Sequence, residues 1–588
     1  MTITKDQLKK RIRVAAKQEP ADIVIKNGRI VDVFNLEIIE EDIAICDGVI
    51  VAIGTNYDGH HVLNAKNQII TPSFIDGHVH IESSMVTPSE FSKVVVPHGV
   101  TSIITDPHEI ANVSGAEGLQ FMLDDAKNTI LDIHFMLPSS VPATSFENAG
   151  AELNAEDLQP FFHHPNVLGL AEVMDYPAVM NTSDNMIDKL IAAHNATDYI
   201  DGHAAGLNST GVNIYRSAGI GTDHECVTPE EAKDRLRRGM YVMIREGSTA
   251  KNLGDLIQVV NPSNSRRCLF CTDDKHLDDL INNGSIDHNV RLAVHLGLDP
   301  LMAIQMATLN AAECFGLKTK GAIAPGYDAD FLVIEDFESI NIHQVYKGGM
   351  LVAEDGRVIF GENNKNSTPT SLTNTIHVPD IKVEDLQINL EDKQQAHVIG
   401  IIPNQIVTRN LIQSVDAVQG CFIPNIEKDQ AKIAVIERHK NLGNIGLGIV
   451  NGLSLKGAIA STVAHDSHNL VVAGTNDEDM ITAINEIKRI NGGLAVVHNG
   501  NVLGSLPLEI SGLISTKNFQ IVNEELQELH KSLHQISSSK SDFNQFLTLA
   551  FLSLPVIPEL KLTDLGLFDV KQFKHIEIAA QIEKTPLS

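Results

Sequence analysis

The chain has 588 residues, too many for one hydrophobic core, so roughly two to four domains are expected. With 45 Lys and Arg against 75 Asp and Glu, the net charge of −30 disfavours nucleic acid and anionic membranes as partners and favours a small neutral or cationic ligand. Six scattered cysteines and an N-terminus without an apolar signal core indicate the cytoplasm, and the most apolar segment, residues 546–557, is too short to span a bilayer.

The first predicted elements are short β-strands joined by tight turns. Apolar runs of strand length lie at residues 21–25, 43–45 and 49–53. Asp47 and Gly48 between the last two runs form a typical hairpin turn. A similar pattern returns at residues 328–334. We therefore predict that residues 1–68 and 318–365 together form a composite β-sandwich domain.

Between residues 69 and 317 the pattern changes to apolar runs, most of them followed by a polar turn and a helix. The runs begin near residues 69, 100, 131, 167, 199, 220, 241 and 268. Capping boxes with Pro at the first helical position mark helix starts after Thr87 and Thr228. Eight strand–helix units in about 250 residues predict an α/β fold, a (β/α)8 barrel, whose active sites lie at the carboxyl ends of the strands.

Metal-binding residue types follow five of these runs. They are His78 and His80 after the first run, Glu172 after the fourth, His203 after the fifth, His224 after the sixth and Asp273 after the eighth. His78 and His80 are two residues apart on a strand and therefore share a face. Nitrogen and oxygen ligands without a thiolate suit Zn, Mn, Fe or Ni, and six ligands fit two metals bridged by Glu172. Such a pair makes hydroxide available from a bridging water, and Asp273 would accept its proton and pass it to the leaving group. The pattern alone predicts a binuclear metallohydrolase.

Three further polar residues lie where the barrel mouth is predicted, but each also has a structural interpretation. His108 and Glu109 follow the second run and would either bind the substrate or anchor their loop. Arg245 follows the seventh run and would either form an ion pair with Glu246 or contact the substrate.

The C-terminal part of the chain has a different composition. Residues 366–379 are polar and predict a linker, and residues 380–588 predict a separate mixed α/β domain. Strands are predicted at residues 470–473 and 494–497 and a helix at 478–490, whereas two glycines weaken the strand prediction at 445–450. His465 and His468 in this domain would form a third metal site, a lid over the barrel or a polar turn.

With this order of ligands the chain resembles the amidohydrolase superfamily over roughly residues 20–360. Many binuclear members of that superfamily use a carboxylated lysine where this chain has Glu172. Five phrases are similar to the bacterial-type adenine deaminase family: HVHIESS at 78–84, TDPHEI at 105–110, MIREGS at 243–248, HDSHN at 465–469 and FLSLPVIP at 551–558. With them the resemblance spans nearly the whole chain. It implies hydrolysis of adenine to hypoxanthine and ammonia by hydroxide attack at C6, with a pair of Mn²⁺ or Fe²⁺ ions as cofactor.

Two alternatives remain open at this stage. Another binuclear amidohydrolase, acting on a cyclic amide or amidine, would need an anchor for a substrate carboxylate, and Arg245 is the obvious candidate. A catalytically silent scaffold is disfavoured because all six ligand positions are filled. The expected partner is therefore adenine, with neither nucleic acid nor membrane, and homodimer formation is left open.

Overall fold

The computed structural model describes residues 3–197, 199–359, 368–391, 393–537 and 543–580. Within these ranges the chain forms a β-sandwich, a barrel of parallel strands with surrounding helices, and a C-terminal mixed α/β region. The prediction of a barrel followed by a further C-terminal domain is confirmed. Among the described helices, none combines the length and apolar character that a membrane crossing requires.

Two β-sheets face each other in the N-terminal region. The four-stranded sheet contains, in spatial order, Val49–Gly54, Asp42–Cys46, Ala21–Lys26 and Gly59–Asn64. The seven-stranded sheet contains Arg357–Val358, Met350–Glu354, Ile342–Lys347, Phe331–Ile334, Ile69–Pro72, Arg29–Asp32 and Glu37–Ile39. Apolar side chains such as Ile45 and Phe331 pack between the sheets. Asp47 and Gly48, with φ of 51° and 73°, form the predicted hairpin turn. A helix that was not predicted, Lys5–Ala15, packs through Val14 on the other face of the four-stranded sheet.

The apolar run that begins at Ile69 is divided between two sheets. Ile69–Pro72 pairs with Phe331–Ile334 in the seven-stranded sheet, whereas Phe74–Val79 is the first strand of the barrel. Pro72 has no amide N–H to donate to a neighbouring strand, and the chain changes sheet directly after it. The barrel strands therefore begin at Phe74 rather than at Ile69.

Parallel strands in sequence order form the barrel, and all of them lie within the described residues. They are Phe74–Val79, Val100–Thr105, Asp132–Leu137, Val167–Val173, Ile200–Gly202, Thr222–Asp223, Tyr241–Arg245 and Cys268–Cys271. The first five form one sheet and the last three another. Backbone hydrogen bonds from Gly221 to Ile200 and from Asp273 to His78 link the two sheets at both junctions. The arrangement is TIM-barrel-like, so the carboxyl ends of the strands share one mouth.

Helices cover the outside of the barrel. They span Pro88–Val95, His108–Ala126, Ala155–Leu158, Tyr176–Met180, Asp184–Ala196, Ser209–Ser217, Pro229–Arg237, Leu253–Leu256, Leu277–Asn283, Ile286–His295, Pro300–Ala307 and Leu309–Cys314. The capping box predicted at Thr228 is confirmed. The one predicted at Thr87 is wrong, because the Glu90 carboxylate binds Lys93 and accepts the backbone N–H of Phe519 instead.

The C-terminal region contains an eight-stranded sheet. Its strands are, in spatial order, Thr408–Ser414, Gln395–Ile401, Ile445–Asn451, Gln430–Ile436, Leu470–Gly474, Ala458–Ser461, Gly493–His498 and Asn501–Pro507. Smaller strands span Asp416–Val418, Cys421–Ile423, Leu560–Thr563, Gly566–Asp569 and Lys574–His575, and helices span Asp477–Ile490, Phe519–Ile536 and Gln545–Phe551. Ile445–Asn451 is a strand despite its glycines. A Cβ on Gly446 would lie 1.9 Å from the carbonyl oxygen of Thr563, so this glycine permits the close approach of a second strand.

The described part of the predicted linker packs against its surroundings. Residues 366 and 367 lie outside the described residues, and Thr370–Thr373 forms a short 3-10 helix. Leu372 is buried, and its carbonyl accepts a hydrogen bond from the N–H of Ser511. Apolar side chains of the barrel and of the C-terminal sheet belong to one continuous core. The C-terminal region is therefore fixed on the barrel.

Candidate active site

The six predicted metal ligands converge at the mouth of the barrel, where all are buried. Nε2 of His80 lies 3.3 Å from Oε1 of Glu172 and 3.0 Å from Oδ1 of Asp273. The second oxygen of Glu172, Oε2, lies 2.6 Å from Nδ1 of His203 and 3.2 Å from Nε2 of His224. Glu172 therefore stands at the centre of the cluster, with its two oxygens turned to different histidines.

The two histidines of the H-x-H pair are oriented by hydrogen bonds at Nδ1. Nδ1 of His78 lies 3.1 Å from Oδ2 of Asp201, and Nδ1 of His80 lies 3.0 Å from the backbone carbonyl oxygen of Asp106. Carbonyl and carboxylate oxygens accept hydrogen bonds, so Nδ1 carries a proton in both rings and Nε2 is the nitrogen that faces the cluster. The two Nε2 atoms face each other at 3.1 Å. This orientation by outer partners is typical of metal-binding histidines.

The spacing and the chemical type of the donor groups also fit a divalent metal. Groups of side chains whose possible ligand atoms all lie within 4.8 Å of one another overlap at the barrel mouth: His78 with His224 and Asp273; Glu172 with His203 and His224; and His80 with Asp106, His108 and Glu172. Imidazole and carboxylate ligands suit Zn, Mn and Fe. The residues present therefore fit a divalent metal centre.

The ionisation of Glu172 and Asp273 also suits metal ligands. Burial alone would raise the pKa of Glu172, but the facing imidazoles of His224 and His203 outweigh burial and hold that pKa well below its usual range. Burial likewise opposes ionisation of Asp273, and the guanidinium of Arg245 reverses the effect, so that its pKa also lies well below the usual range. Both carboxyl groups are ionised, as metal ligands must be.

The guanidinium of Arg245 binds two carboxylates inside the barrel, those of Asp273 and Glu225. Its Nη1 lies 2.6 Å from Oδ2 of Asp273 and also binds Oε1 of Glu225, and its Nη2 lies 3.2 Å from Oε2 of Glu225. Glu246 instead accepts the backbone N–H of Leu253. The predicted ion pair between Arg245 and Glu246 is wrong, because successive residues of a strand point to opposite sides. The sequence reasoning missed Glu225, although it directly follows His224.

His108 reaches both the cluster and the C-terminal domain. Its Nδ1 lies 2.9 Å from Oδ2 of Asp106 and 3.6 Å from Oε1 of Glu172. Its Nε2 lies 3.4 Å from Oδ1 of Asp466. Burial alone would lower the pKa of His108, but the charges of Asp106 and Asp466 raise it well above the usual value. The structure thus brings this predicted substrate residue to the mouth.

Glu109 lies beside the two predicted histidines of the C-terminal domain. Its Oε1 is 3.4 Å from Nδ1 of His465, and His468 belongs to the same group of possible ligands. Burial, and then the charge of Asp274, raises the pKa of Glu109 well above its usual range. Nδ1 of His468 accepts the N–H of Ala464, which leaves its proton on Nε2. A nitrogen that carries a proton is a poor ligand, so His468 in this arrangement does not favour a third metal site.

A cavity lies over the cluster, and the C-terminal domain covers it. The barrel contributes His80, His108, Glu172, Met174, His203, His224, Glu225, Arg245, Asp273 and Asp274 to its wall, and the C-terminal domain contributes Ile406, His465, Asp466, Phe551 and Leu554. The ring of Phe551 stacks on that of His465, with 4.3 Å between the ring centroids. Apolar groups on one side and polar groups on the other suit a flat ligand with polar edges. The sequence reasoning missed the apolar wall, whose residues are far from the barrel in sequence.

Comparison with known proteins gives a matching family for the barrel region and another for the C-terminal region. Residues 69–352 match the amidohydrolase family, and residues 405–574 match the adenine deaminase C-terminal domain. The chain is 57% identical over 575 residues to an adenine deaminase of Geobacillus kaustophilus, which covers 97% of this chain and 99% of that protein. It is 52% identical over 579 residues to an adenine deaminase of Bacillus subtilis, covering 98% and 100% of the two chains. Among solved structures, an adenosine deaminase from Xanthomonas campestris with bound zinc matches 58% of this chain and 95% of that chain, at 14% identity and a TM-score of 0.45.

Proposed function

Because the chain belongs to the adenine deaminase family of amidohydrolases, we propose that it hydrolyses adenine to hypoxanthine and ammonia. The observation that carries the proposal is the cavity, because a buried His and carboxylate cluster forms its floor and the adenine deaminase-type C-terminal domain closes it. In this reaction water adds to C6 of the purine, and the C6 amino group leaves as ammonia.

The proposed functions of the barrel residues are metal binding and proton transfer, and Asp273 takes part in both. We propose that His78, His80, His203, His224, Glu172 and Asp273 hold two divalent metals at the mouth of a closed (β/α)8 barrel, with Glu172 between the metals. When bound, Mn²⁺ or Fe²⁺ ions supply Lewis acidity that lowers the pKa of water toward neutrality. Asp273 accepts the proton of the attacking water and returns it to the leaving amine. Arg245 fixes the Asp273 carboxylate for this transfer through its 2.6 Å contact with Oδ2.

The alternative, hydrolysis of another cyclic amide or amidine, depended on Arg245 as an anchor for a substrate carboxylate. Such a substrate would need a cationic anchor, and the guanidinium of Arg245 already binds Glu225 and Asp273. All six predicted ligand positions hold metal-binding residue types that converge in one buried cluster, which also argues against a silent scaffold. All six cysteines are free, which supports a reducing, cytoplasmic location.

Ammonia release from adenine tests the proposal. The protein is stripped of metal with a chelator and then supplied with Mn²⁺ or Fe²⁺, and ammonia and hypoxanthine are measured. We expect equal amounts of both products, formed only after metal is restored. If both metals rebind and adenine is still unchanged, the proposed function is wrong.

A further inference from the structure

The C-terminal domain places one carboxylate in the cavity, that of Asp466. We propose that Asp466 accepts a hydrogen bond from the N–H of the five-membered ring of the purine, and that this contact selects the free base over its nucleoside. The proposal rests on the proposed function, since it assumes that the cavity holds adenine.

Most carboxylate oxygens in the cavity wall already have partners. Both oxygens of Glu172 face histidines, and both oxygens of Glu225 bind Arg245. Oδ1 of Asp273 lies 3.0 Å from His80, and its Oδ2 binds Arg245.

Asp466 differs from these three carboxylates. Its side chain is 3% exposed, and its Oδ1 lies 3.4 Å from Nε2 of His108. Its Oδ2 is buried and has no hydrogen-bond partner among the described residues. A buried carboxylate oxygen without a donor is unfavourable, so a ligand that brings a donor is favoured here.

The position of Asp466 relative to the metal cluster fits a purine. The His108 ring separates the two carboxylates, with Nδ1 lying 3.6 Å from Glu172 and Nε2 lying 3.4 Å from Asp466. A purine with C6 at the cluster extends its five-membered ring away from it. The apolar side chains of Ile406, Phe551 and Leu554 line the same cavity and provide surface for the ring faces.

The chemistry of the ligand identifies the group that Asp466 recognises. Adenine donates hydrogen bonds from its C6 amino group and from one nitrogen of the five-membered ring, whereas N1 and N3 only accept. The amino group must face the metal cluster, because it is the leaving group. The ring N–H is therefore the donor that remains for Asp466. A nucleoside carries the sugar on N9 and lacks this N–H, so it would leave a buried charge unpaired.

The test compares adenine with 9-methyladenine, which adds one methyl group but removes the ring N–H. For the wild-type holoenzyme we expect kcat/KM for adenine to exceed that for 9-methyladenine by about two orders of magnitude. In Asp466→Ala this ratio should fall to within about tenfold, through a higher KM for adenine, whereas Asp466→Asn keeps an uncharged acceptor and should lie between Asp466→Ala and wild type. A ratio that both variants retain would overturn the proposal. An equal loss of kcat on both substrates would do the same and assign Asp466 to the positioning of His108.

Measuring the binding of the product, hypoxanthine, tests the role of Asp466 independently of the proposed deaminase activity. Hypoxanthine keeps the ring N–H and is not deaminated, so calorimetry with hypoxanthine and 9-methylhypoxanthine measures the contact without turnover. We expect wild-type protein to prefer hypoxanthine and Asp466→Ala, which has no acceptor, to lose that preference, even if adenine is not the substrate. Asp564→Ala is the matched control. Asp564 binds Asn148 at the domain interface and does not line the cavity, so the preference should remain. Its loss in this control would also overturn the proposal.

Discussion

At the scale of the residue, Asp273 has two proposed roles, metal ligand and proton carrier, which make different demands on one carboxylate. Its Oδ1 faces His80 in the metal cluster, and its Oδ2 binds Arg245. The ion pair keeps the group charged and oriented, and its low pKa favours rapid return of any proton that it accepts. Neutralising this residue should therefore affect the chemical step more than the fold, because Arg245 retains Glu225 as a partner.

Asp273→Asn should lower turnover of adenine by about 10² to 10⁴-fold, the usual effect of losing a general base. The loss should appear in kcat, with most of the metal and the thermal midpoint retained. Steady-state kinetics together with metal analysis measures both quantities. A change confined to KM would contradict the base role and assign Asp273 to substrate binding.

Glu172→Gln should weaken binding of the metal pair, because a neutral amide is a poor ligand between two cations. Metal content after dialysis against a graded chelator series measures the effect. Glu225→Gln is the matched control, since Glu225 lies in the same cavity but is paired with Arg245 and is not a proposed ligand. Two metals held at wild-type affinity in Glu172→Gln, with normal turnover, would show that Glu172 does not bridge.

At the scale of the element, the third barrel strand, Asp132–Leu137, contains a histidine outside the metal cluster. Neither ring nitrogen of His134 has a hydrogen-bond partner in the part of the chain that the structure describes. Burial lowers the pKa of His134 to about 4, against 6.5 for the free side chain, and nearby Asp132 only partly offsets this. The folded strand therefore holds this ring neutral at pH values where the unfolded chain is protonated.

This difference predicts a pH-dependent loss of stability. Between pH 6.5 and about 4 the unfolded chain binds a proton that the folded chain does not, so the free energy of unfolding falls with falling pH by up to about 3 kcal/mol. Above pH 6.5 His134 contributes no pH dependence. Urea unfolding of His134→Leu at pH 7 and pH 5 should show a smaller decrease than wild type. His60→Leu, on the exposed face of Gly59–Asn64, is the control and should behave like wild type. Equal decreases in all three proteins would contradict the prediction.

At the scale of the whole molecule, the barrel supplies the proposed metal ligands and the C-terminal domain supplies much of the cavity wall. All six proposed ligands lie between residues 78 and 273, whereas Phe551 and Leu554 come from the far end of the chain. An apolar cluster that includes Ala250, Ile406 and both of these residues packs across the junction. In the proposed function, metal binding and substrate enclosure thus belong to different domains.

A chain truncated after residue 365 should therefore retain metal ligands but lose adenine deamination. Removing the C-terminal domain also exposes apolar core of the barrel, so the double substitution Phe551→Ala and Leu554→Ala serves as the milder variant. It should raise KM for adenine about tenfold or more while metal content stays at the wild-type level. Metal analysis and ammonia release measure the two properties. Soluble truncated protein with full activity would show that the C-terminal domain does not form the pocket.

The sequence by itself determined the local features. The H-x-H spacing fixes two imidazoles on one face of a strand, and the alternation of apolar runs with capped helices predicts a barrel whose strand ends meet. These inferences depend only on residue spacing and on the geometry of strands and helices. For the same reason the sequence alone predicts the order of the six candidate ligands, because each of them follows an apolar run.

The tertiary structure alone decided which groups meet across long distances in sequence. The partner of Arg245 is Glu225 rather than its neighbour Glu246, because strand residues alternate in direction and the mouth brings adjacent strand ends together. The division of the run at Pro72 depends on a sheet completed by Phe331–Ile334. The contact of Asp466 with His108 joins residues from two domains. Such pairings are set by packing of the whole chain, which no local pattern encodes.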